Sequence, residues 1–162
     1  MFRRLTLTTL TGLVLLPASN VARGGPNTAD LKFKAHHIFV AAADSGAVVE
    51  FDENGVFVRS LKPPALASPR EVRFGPDGLL YVLSDNGYVL ALNILGTVTK
   101  TLPVGPGVPT SMAFGAEGHL FVGTDLNRVL EYDLELGQQY LVKTYTTHGV
   151  PFGLAFGAHG HL

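Results

Sequence analysis

Acidic and amide side chains recur at regular intervals in this chain, in a pattern that suits ligand or cation binding. Asp44, Asp85 and Asp125 are 41 and 40 residues apart, and Asn86 and Asn127 follow the last two. Hard divalent cations prefer several such oxygen ligands. An Asp that recurs at a tight turn more commonly accepts backbone N–H groups and stabilises that turn. The pattern therefore predicts a polar rim. Binding of a divalent cation stays an open alternative, but no metal ligand is assigned and no cofactor is indicated.

A second group of candidates breaks the regularity of the chain. Glu71 and Arg73 stand where the later copies of the same segment have small residues, namely Ser111 and Ala113, then Gly153 and Ala155. Such a pair could touch a polar ligand. The alternative is a partly exposed ion pair that adds little stability.

The six histidines have no spacing typical of a metal centre such as HExxH, so most are expected at the surface or in turns. His148 differs because it lies in a connecting segment just before Pro151. No catalytic residue is predicted. The candidate binding residues are Glu71, Arg73, Asp85, Asn86, Asp125, Asn127 and His148.

Composition narrows the class of protein. The chain has 162 residues, of which 46% are hydrophobic and 15% charged, with a formal net charge of -1. This is typical of a well-buried globular protein and gives no electrostatic footprint for nucleic acid. There is no cysteine, which excludes thiolate catalysis, zinc-thiolate sites and disulfides.

The N-terminal residues have the pattern of a secretory signal peptide. Arg3 and Arg4 precede an apolar run from about Leu5 to Leu16, and small and polar residues follow. The run is shorter than the roughly 20 residues of a membrane-spanning helix. We expect residues 1–22 to be removed, with Ala18 as a second candidate cleavage position, and the mature protein to be secreted or periplasmic without a membrane span. The alternative is an uncleaved N-terminal anchor.

The rest of the chain is an internal repeat of about 41 residues. Pro69, Pro109 and Pro151 each precede a phenylalanine by five residues, and a glycine stands four residues after that phenylalanine. Each unit contains four short runs with period-two alternation, separated by turn residues. Four antiparallel strands per unit of this length predict an all-β fold of β-propeller blades. The predicted blades are 26–62, 63–103, 104–146 and an incomplete 147–162.

These motifs resemble the NHL-repeat propellers and the related gluconolactonase-like and virginiamycin B lyase-like propellers. The resemblance rests on Pro-x-x-x-x-Phe-Gly-x-x-Gly-x-Leu-Tyr/Phe-Val, then Asp, then Phe/Tyr-Asp and Gly, over most of residues 36–162. It implies a six-bladed ring, with ligands bound where the loops before the first strands and those between the second and third strands meet. The lactonase-like relatives use a Glu, Asn and Asp metal set and the lyases a His-based site, and neither set matches this chain residue by residue.

About three to three and a half blades are present, whereas propellers close with about four to eight. An open half-ring would leave apolar faces and strand edges uncovered. We therefore expect a fragment of a longer protein; the alternative is self-association of copies through the open edges. The predicted function is an exported scaffold that binds a protein or a small molecule. The alternative is a metal-dependent lactonase or lyase whose site is completed by further blades.

Overall fold

The computed structural model describes residues 32–135 and 140–157, and the predicted signal peptide at 1–22 lies outside them. The described residues contain strands and turns and no helix, which confirms the all-β prediction. The eleven strands are β1 (Ile38–Ala42), β2 (Ala47–Phe51), β3 (Phe57–Leu61), β4 (Pro69–Phe74), β5 (Leu80–Ser84), β6 (Tyr88–Leu92), β7 (Val98–Pro103), β8 (Pro109–Phe114), β9 (Leu120–Thr124), β10 (Arg128–Asp133) and β11 (Tyr140–Thr146).

The strands form three antiparallel sheets in which each strand pairs with its neighbour in the chain. The first sheet holds β1 to β3, the second β4 to β7 and the third β8 to β11. Equivalent registers recur, because Ile38 faces Phe51, Leu80 faces Leu92 and Tyr132 faces Leu120. The repeat in the sequence is therefore a repeat of one sheet.

Tight turns close the hairpins where the sequence has Pro, Asp and Gly. In the turn from β4 to β5, the Gly78 N–H donates to the carbonyl of Gly75 at 3.0 Å, and Gly78 has a φ of +76°. Glycine takes this left-handed conformation at no steric cost, whereas a Cβ would strain it. The Asp77 carboxylate also accepts the N–H of Leu79 at 3.2 Å.

Two apolar cores lie between successive sheets. Alternate residues of each strand point to opposite faces, so the second sheet contributes one face to each core. Between the first and second sheets the core contains Val48, Leu61, Leu66, Leu80, Val82, Leu90 and Leu92. Between the second and third sheets it contains Tyr81, Leu83, Val89, Ala91, Leu102, Val104, Met112, Leu120, Val122, Leu130 and Tyr132.

One aromatic contact recurs at each junction. The rings of Phe39 and Phe74 are 5.3 Å apart between centroids, and those of Tyr81 and Phe114 are 5.0 Å apart, both edge to face. The rings of Phe121 and Phe156 repeat this contact at 4.9 Å. Residues 151–157 therefore lie against the third sheet in the position that the first strand of a following sheet would take.

A search of the described part of the chain for a helix long and apolar enough to cross a membrane finds none.

Candidate functional site

The candidate residues lie mainly at one end of the sheets, which we call the mouth end. It consists of the loops that lead into β4 and β8, residues 62–68 and 104–108, with residues 147–150, and the turns from β1 to β2, β5 to β6 and β9 to β10. The other hairpin turns lie at the opposite end. The β5 to β6 and β9 to β10 turns carry Asp85, Asn86, Asp125 and Asn127.

At the second sheet, the candidate side chains bind neighbouring parts of the same sheet. The Asp85 carboxylate forms an ion pair with the Arg70 guanidinium at the start of β4. The Asn86 side-chain amide donates to the carbonyl of Ala65 at 3.1 Å. The Asn86 contact holds the loop before β4 against the turn from β5 to β6, and the Asp85 contact holds the start of β4 against the same turn.

At the third sheet, the equivalent aspartate has a similar role with a different partner. The Asp125 carboxylate accepts the N–H of Val108 at 2.8 Å, and the Asp125 N–H donates to the Val108 carbonyl at 3.0 Å. Asn127 takes a left-handed φ of +56°, and its carbonyl accepts the N–H of Thr147. Asparagine is among the few residues that tolerate this conformation.

Glu71 and Arg73 are brought together by β4. The Arg73 Nε donates to Glu71 Oε1 at 2.8 Å, while Glu71 Oε2 accepts the main-chain N–H of Met112 in β8 at 2.8 Å. Arg73 also lines a cleft of about 350 Å³ with residues of β8 and of the segment after β11. The lining residues are Arg73, Phe74, Ala113, Phe114, Leu154, Ala155 and Phe156.

His148 lies exposed in the segment after β11. Next to it, the Thr147 hydroxyl donates to the carbonyl of Gly149 at 2.6 Å. The structure thus joins Glu71 with Arg73 and places the other candidates in separate turns and loops of the mouth end.

The structure also contains a polar cluster that the sequence did not predict. His119 Nδ1 lies 2.8 Å from Glu131 Oε1, and the Tyr145 hydroxyl donates to Glu131 Oε2 at 2.7 Å. The hydrogen bond to Glu131 raises the pKa of His119 above its usual 6.5. Burial works to raise the pKa of Glu131, but the contacts with His119 and Tyr145 outweigh it and lower that pKa. The bond to Glu131 raises the pKa of the Tyr145 hydroxyl.

An equivalent pair occupies the first sheet. His37 Nδ1 lies 2.7 Å from Glu50 Oε1, and Arg59 Nε donates to Glu50 Oε2 at 2.5 Å. One feature of the sequence could have indicated these pairs. A His and a Glu recur at equivalent positions of the first and third units, where the second unit has Leu79 and Ala91.

The second sheet has a different polar contact, at the end opposite the mouth end. The buried Tyr81 donates its hydroxyl to Asp77 at 2.9 Å, and Lys100 Nζ lies 2.9 Å from the same carboxylate oxygen. Burial acts to raise the pKa of Asp77, but hydrogen bonds from Lys100, the Leu79 N–H and Tyr81 outweigh it and lower the pKa. Burial and the Asp77 carboxylate raise the pKa of Tyr81.

The donor side chains of the described residues form no cluster that suits a metal ion. Within residues 32–135 and 140–157, no three His, Asp or Glu side chains come close enough to hold one. His119 lies near two carboxylates, with Nδ1 2.8 Å from Glu131 Oε1 and Nε2 4.0 Å from Asp133 Oδ2. The carboxylates of Asp85 and Asp125 bind the protein itself.

Comparison with known proteins identifies the fold. No protein-family model matches the chain, and no curated protein is similar in sequence. Among solved structures, the chain is similar to the WD40 β-propeller domain of Doa1, with a TM-score of 0.68 and 14% sequence identity. The match covers 80% of this chain and 43% of that one, so the chain spans less than half the length of that structure. Together with the three repeated sheets, this similarity shows that the chain has a β-propeller fold.

Proposed function

We propose that this chain is an exported, non-catalytic β-propeller of the NHL-repeat type that binds a protein or a small-molecule ligand at its mouth end. The propeller fold is compatible with a scaffold of this kind. The NHL assignment rests on the repeated Pro-x-x-x-x-Phe-Gly motif, and export rests on the basic and apolar pattern of residues 1–22.

One observation carries the proposal: the polar side chains of the mouth end hold its loops in place. Asp85 binds Arg70, Asn86 binds the Ala65 carbonyl, and Asp125 binds the Val108 N–H. A surface fixed in this way loses little conformational entropy when a partner binds, which favours recognition.

The side chains between these contacts face solvent. Leu126 is 46% exposed and Val108 36% exposed, and Asn127 and His148 are also exposed. Apolar and polar groups mixed on a rigid surface are typical of protein recognition sites. We therefore assign binding to the exposed side chains of the β9 to β10 turn and of the adjoining loops.

Site-specific photo-cross-linking tests this assignment. A photoreactive amino acid replaces Leu126 at the mouth end or, as a matched control, Leu95, which is 69% exposed in the β6 to β7 turn at the opposite end. In cells that produce the chain naturally, we expect a discrete adduct from position 126 and a much weaker one from position 95. Equal adducts from both positions, or neither a protein nor a small-molecule adduct at position 126 by mass spectrometry, would contradict the proposal.

Activity assays separate the scaffold from the enzyme that the resemblance suggests as the alternative. Purified chain is incubated with a panel of lactones in the presence and absence of Ca²⁺, Mn²⁺ and Zn²⁺. The scaffold proposal expects no turnover above the metal-only control. Turnover that needs the chain and a metal ion would instead support the lactonase.

Export is tested separately with a reporter enzyme that folds only outside the cytoplasm. Residues 1–30 fused to this reporter should yield activity, whereas Arg3→Glu combined with Leu13→Asp should abolish it. Equal activity from both fusions would contradict a signal peptide.

A further inference from the structure

The junction between the first and second sheets shows how two blades of this chain are held together. Glu50 is 3% exposed and binds both His37 and Arg59. Arg59 then reaches across the junction, where its Nη1 donates at 2.5 Å to the carbonyl of Ile94 in the β6 to β7 turn. These hydrogen bonds, from Glu50 to His37 and Arg59 and from Arg59 to the Ile94 carbonyl, flank the apolar core between these sheets.

The third sheet carries a related set of polar groups, and no further sheet lies beyond it among the described residues. Lys143 lies opposite Glu131 in the register of β10 and β11, as Arg59 lies opposite Glu50 in that of β2 and β3. The Tyr145 hydroxyl binds Glu131 Oε2, the oxygen that corresponds to the one Arg59 binds on Glu50, and Lys143 Nζ lies 4.5 Å from the centroid of the Tyr145 ring. His119 binds Glu131 as His37 binds Glu50. Beside Glu131 is a cleft of about 270 Å³, lined by Gly115, Ala116, Glu117, His119, Phe121, Glu131 and Phe156. This face has the groups that hold the next blade elsewhere in the chain.

The first sheet has the complementary face. Ile38 and Val40 are 51% and 42% exposed, whereas Leu80 and Val82, at the same positions of the second sheet, are 1% and 0% exposed because the first sheet covers them. The β2 to β3 turn on this side carries the exposed Glu53, at the position of Ile94. Lys143 occupies the position of Arg59 in the third sheet. If it reached across an equivalent junction, it would therefore meet a turn with an acidic side chain.

We propose that the third sheet of one copy binds the first sheet of a second copy, with Lys143 against the β2 to β3 turn that carries Glu53. This contact continues the interface that already joins the first and second sheets. Because the two faces differ, the interface is heterologous, and such contacts give a ring when the rotation closes. The described residues of two copies, with three sheets each, give six sheets, within the range of about four to eight that closes a propeller.

The inference goes beyond the proposed function, because it concerns a different surface and names a second copy as the partner. The β9 to β10 turn that carries Leu126 lies at the mouth end. Lys143 lies within β11, and Glu53 lies in the β2 to β3 turn at the end opposite the mouth end. A failure of one proposal therefore leaves the other unaffected.

Sedimentation velocity of the full 162-residue chain over a range of concentrations tests the pairing. We expect a reversible dimer. Lys143→Glu and Glu53→Lys should each raise the dimer dissociation constant at least about tenfold, since a close charge pair becomes like-charged. The double variant should return it to within about threefold of the unmodified chain, because the pair is restored with its signs exchanged. Lys62→Glu, at an exposed lysine of the mouth end, is the matched control and should leave it unchanged.

A monomer at every soluble concentration would overturn the proposal, and would indicate that further residues of a longer protein cover these faces. A dissociation constant that neither charge reversal changes, or one that the double variant fails to restore, would place the interface elsewhere. Species that keep growing beyond two copies would overturn the closed pair. Circular dichroism checks that each variant is folded, and Glu53→Lys, in an exposed turn, provides the test should Lys143→Glu fail to fold.

Discussion

Glu71 accepts a hydrogen bond from the main-chain N–H of Met112 at 2.8 Å, which joins the first strand of the second sheet to that of the third. The Met112 side chain is fully buried, so its N–H has little access to water once the carboxylate is removed. Burying an unsatisfied N–H costs about 1 to 3 kcal/mol. The value of Glu71 to stability therefore comes from this contact more than from its ion pair with Arg73.

We expect Glu71→Ala to lower the free energy of unfolding by about 1 to 3 kcal/mol. Arg73→Ala removes only the ion pair of a half-exposed guanidinium and should cost less than about 1 kcal/mol. Urea denaturation of both variants measures the difference. Equal losses would show that the ion pair, and not the Met112 N–H, is the important partner.

The contact of His119 with Glu131 makes stability depend on pH near neutrality. Because the pKa of His119 is raised in the folded state, its stabilisation is complete below pH 6.5 and is lost as pH rises through the higher folded value. We expect His119→Gln to lower stability by about 0.3 to 1 kcal/mol at pH 6, with a smaller loss at about pH 8.5. Urea denaturation at several pH values measures this.

His148→Gln supplies the matched control, because it removes an exposed histidine and leaves the His119–Glu131 contact in place. Glu131→Gln should flatten the profile as His119→Gln does, because it removes the other half of the pair. A constant difference between His119→Gln and the unmodified chain across this pH range would argue against a protonated His119 in this contact.

Asp77 gives the opposite pH dependence. Its pKa is lowered in the folded state, so its stabilisation is present above the ordinary value of 3.8 and is lost as pH falls through the lower folded value. Asp77→Asn should therefore be less stable than the unmodified chain at pH 7, by about 1 kcal/mol. The difference should shrink as pH falls from about 5 to about 2.

Tyr81→Phe distinguishes the partners of Asp77. It removes one hydrogen bond to the carboxylate but leaves Lys100, so it should cost about 1 kcal/mol with a weaker pH dependence than Asp77→Asn. Thermal unfolding at pH 3, 5 and 7 measures both variants. A larger difference between Asp77→Asn and the unmodified chain at pH 3 than at pH 7 would contradict the lowered pKa.

The repeated units made the fold predictable from the sequence. Period-two alternation around Leu80 and Val82, and the Gly-Pro-Asp-Gly turn before them, specify a hairpin locally, and the recurrence specifies several copies. The all-β class and the propeller fold were therefore predicted correctly. The NHL type and export rest on sequence pattern alone and stay predictions.

The contacts of the candidate site were less predictable, because they depend on strand register and loop path. Asp125 binds the Val108 N–H, 17 residues away, only because the loop before β8 runs beside the β9 to β10 turn. His119 meets Glu131 because the pairing of β9 with β10 places Phe121 opposite Glu131, and His119, two residues before Phe121, then lies diagonally from Glu131 on the same face. A one-residue change of register would point these side chains to opposite faces.

The segment after β11 depends on a glycine in β9 for its position. A Cβ added at Gly123 would lie 2.9 Å from the carbonyl oxygen of Pro151 and 2.6 Å from the Ser111 hydroxyl, closer than real Cβ contacts. The same Pro151 carbonyl accepts hydrogen bonds from Thr110 at 2.6 Å and Ser111 at 2.9 Å. Any larger residue at 123 must therefore push this carbonyl away from its two donors.

We expect Gly123→Ala to release residues 151–157 from the third sheet while the three sheets stay folded. Hydrogen exchange should show at least about tenfold faster exchange in peptides that cover 150–157, with little change in β5 and β6, since segments with few remaining contacts open locally. Gly149→Ala is the matched control, because a Cβ there meets nothing within 4 Å. Equal exchange in the two variants would show that the Pro151 carbonyl does not hold this segment against β8 and β9.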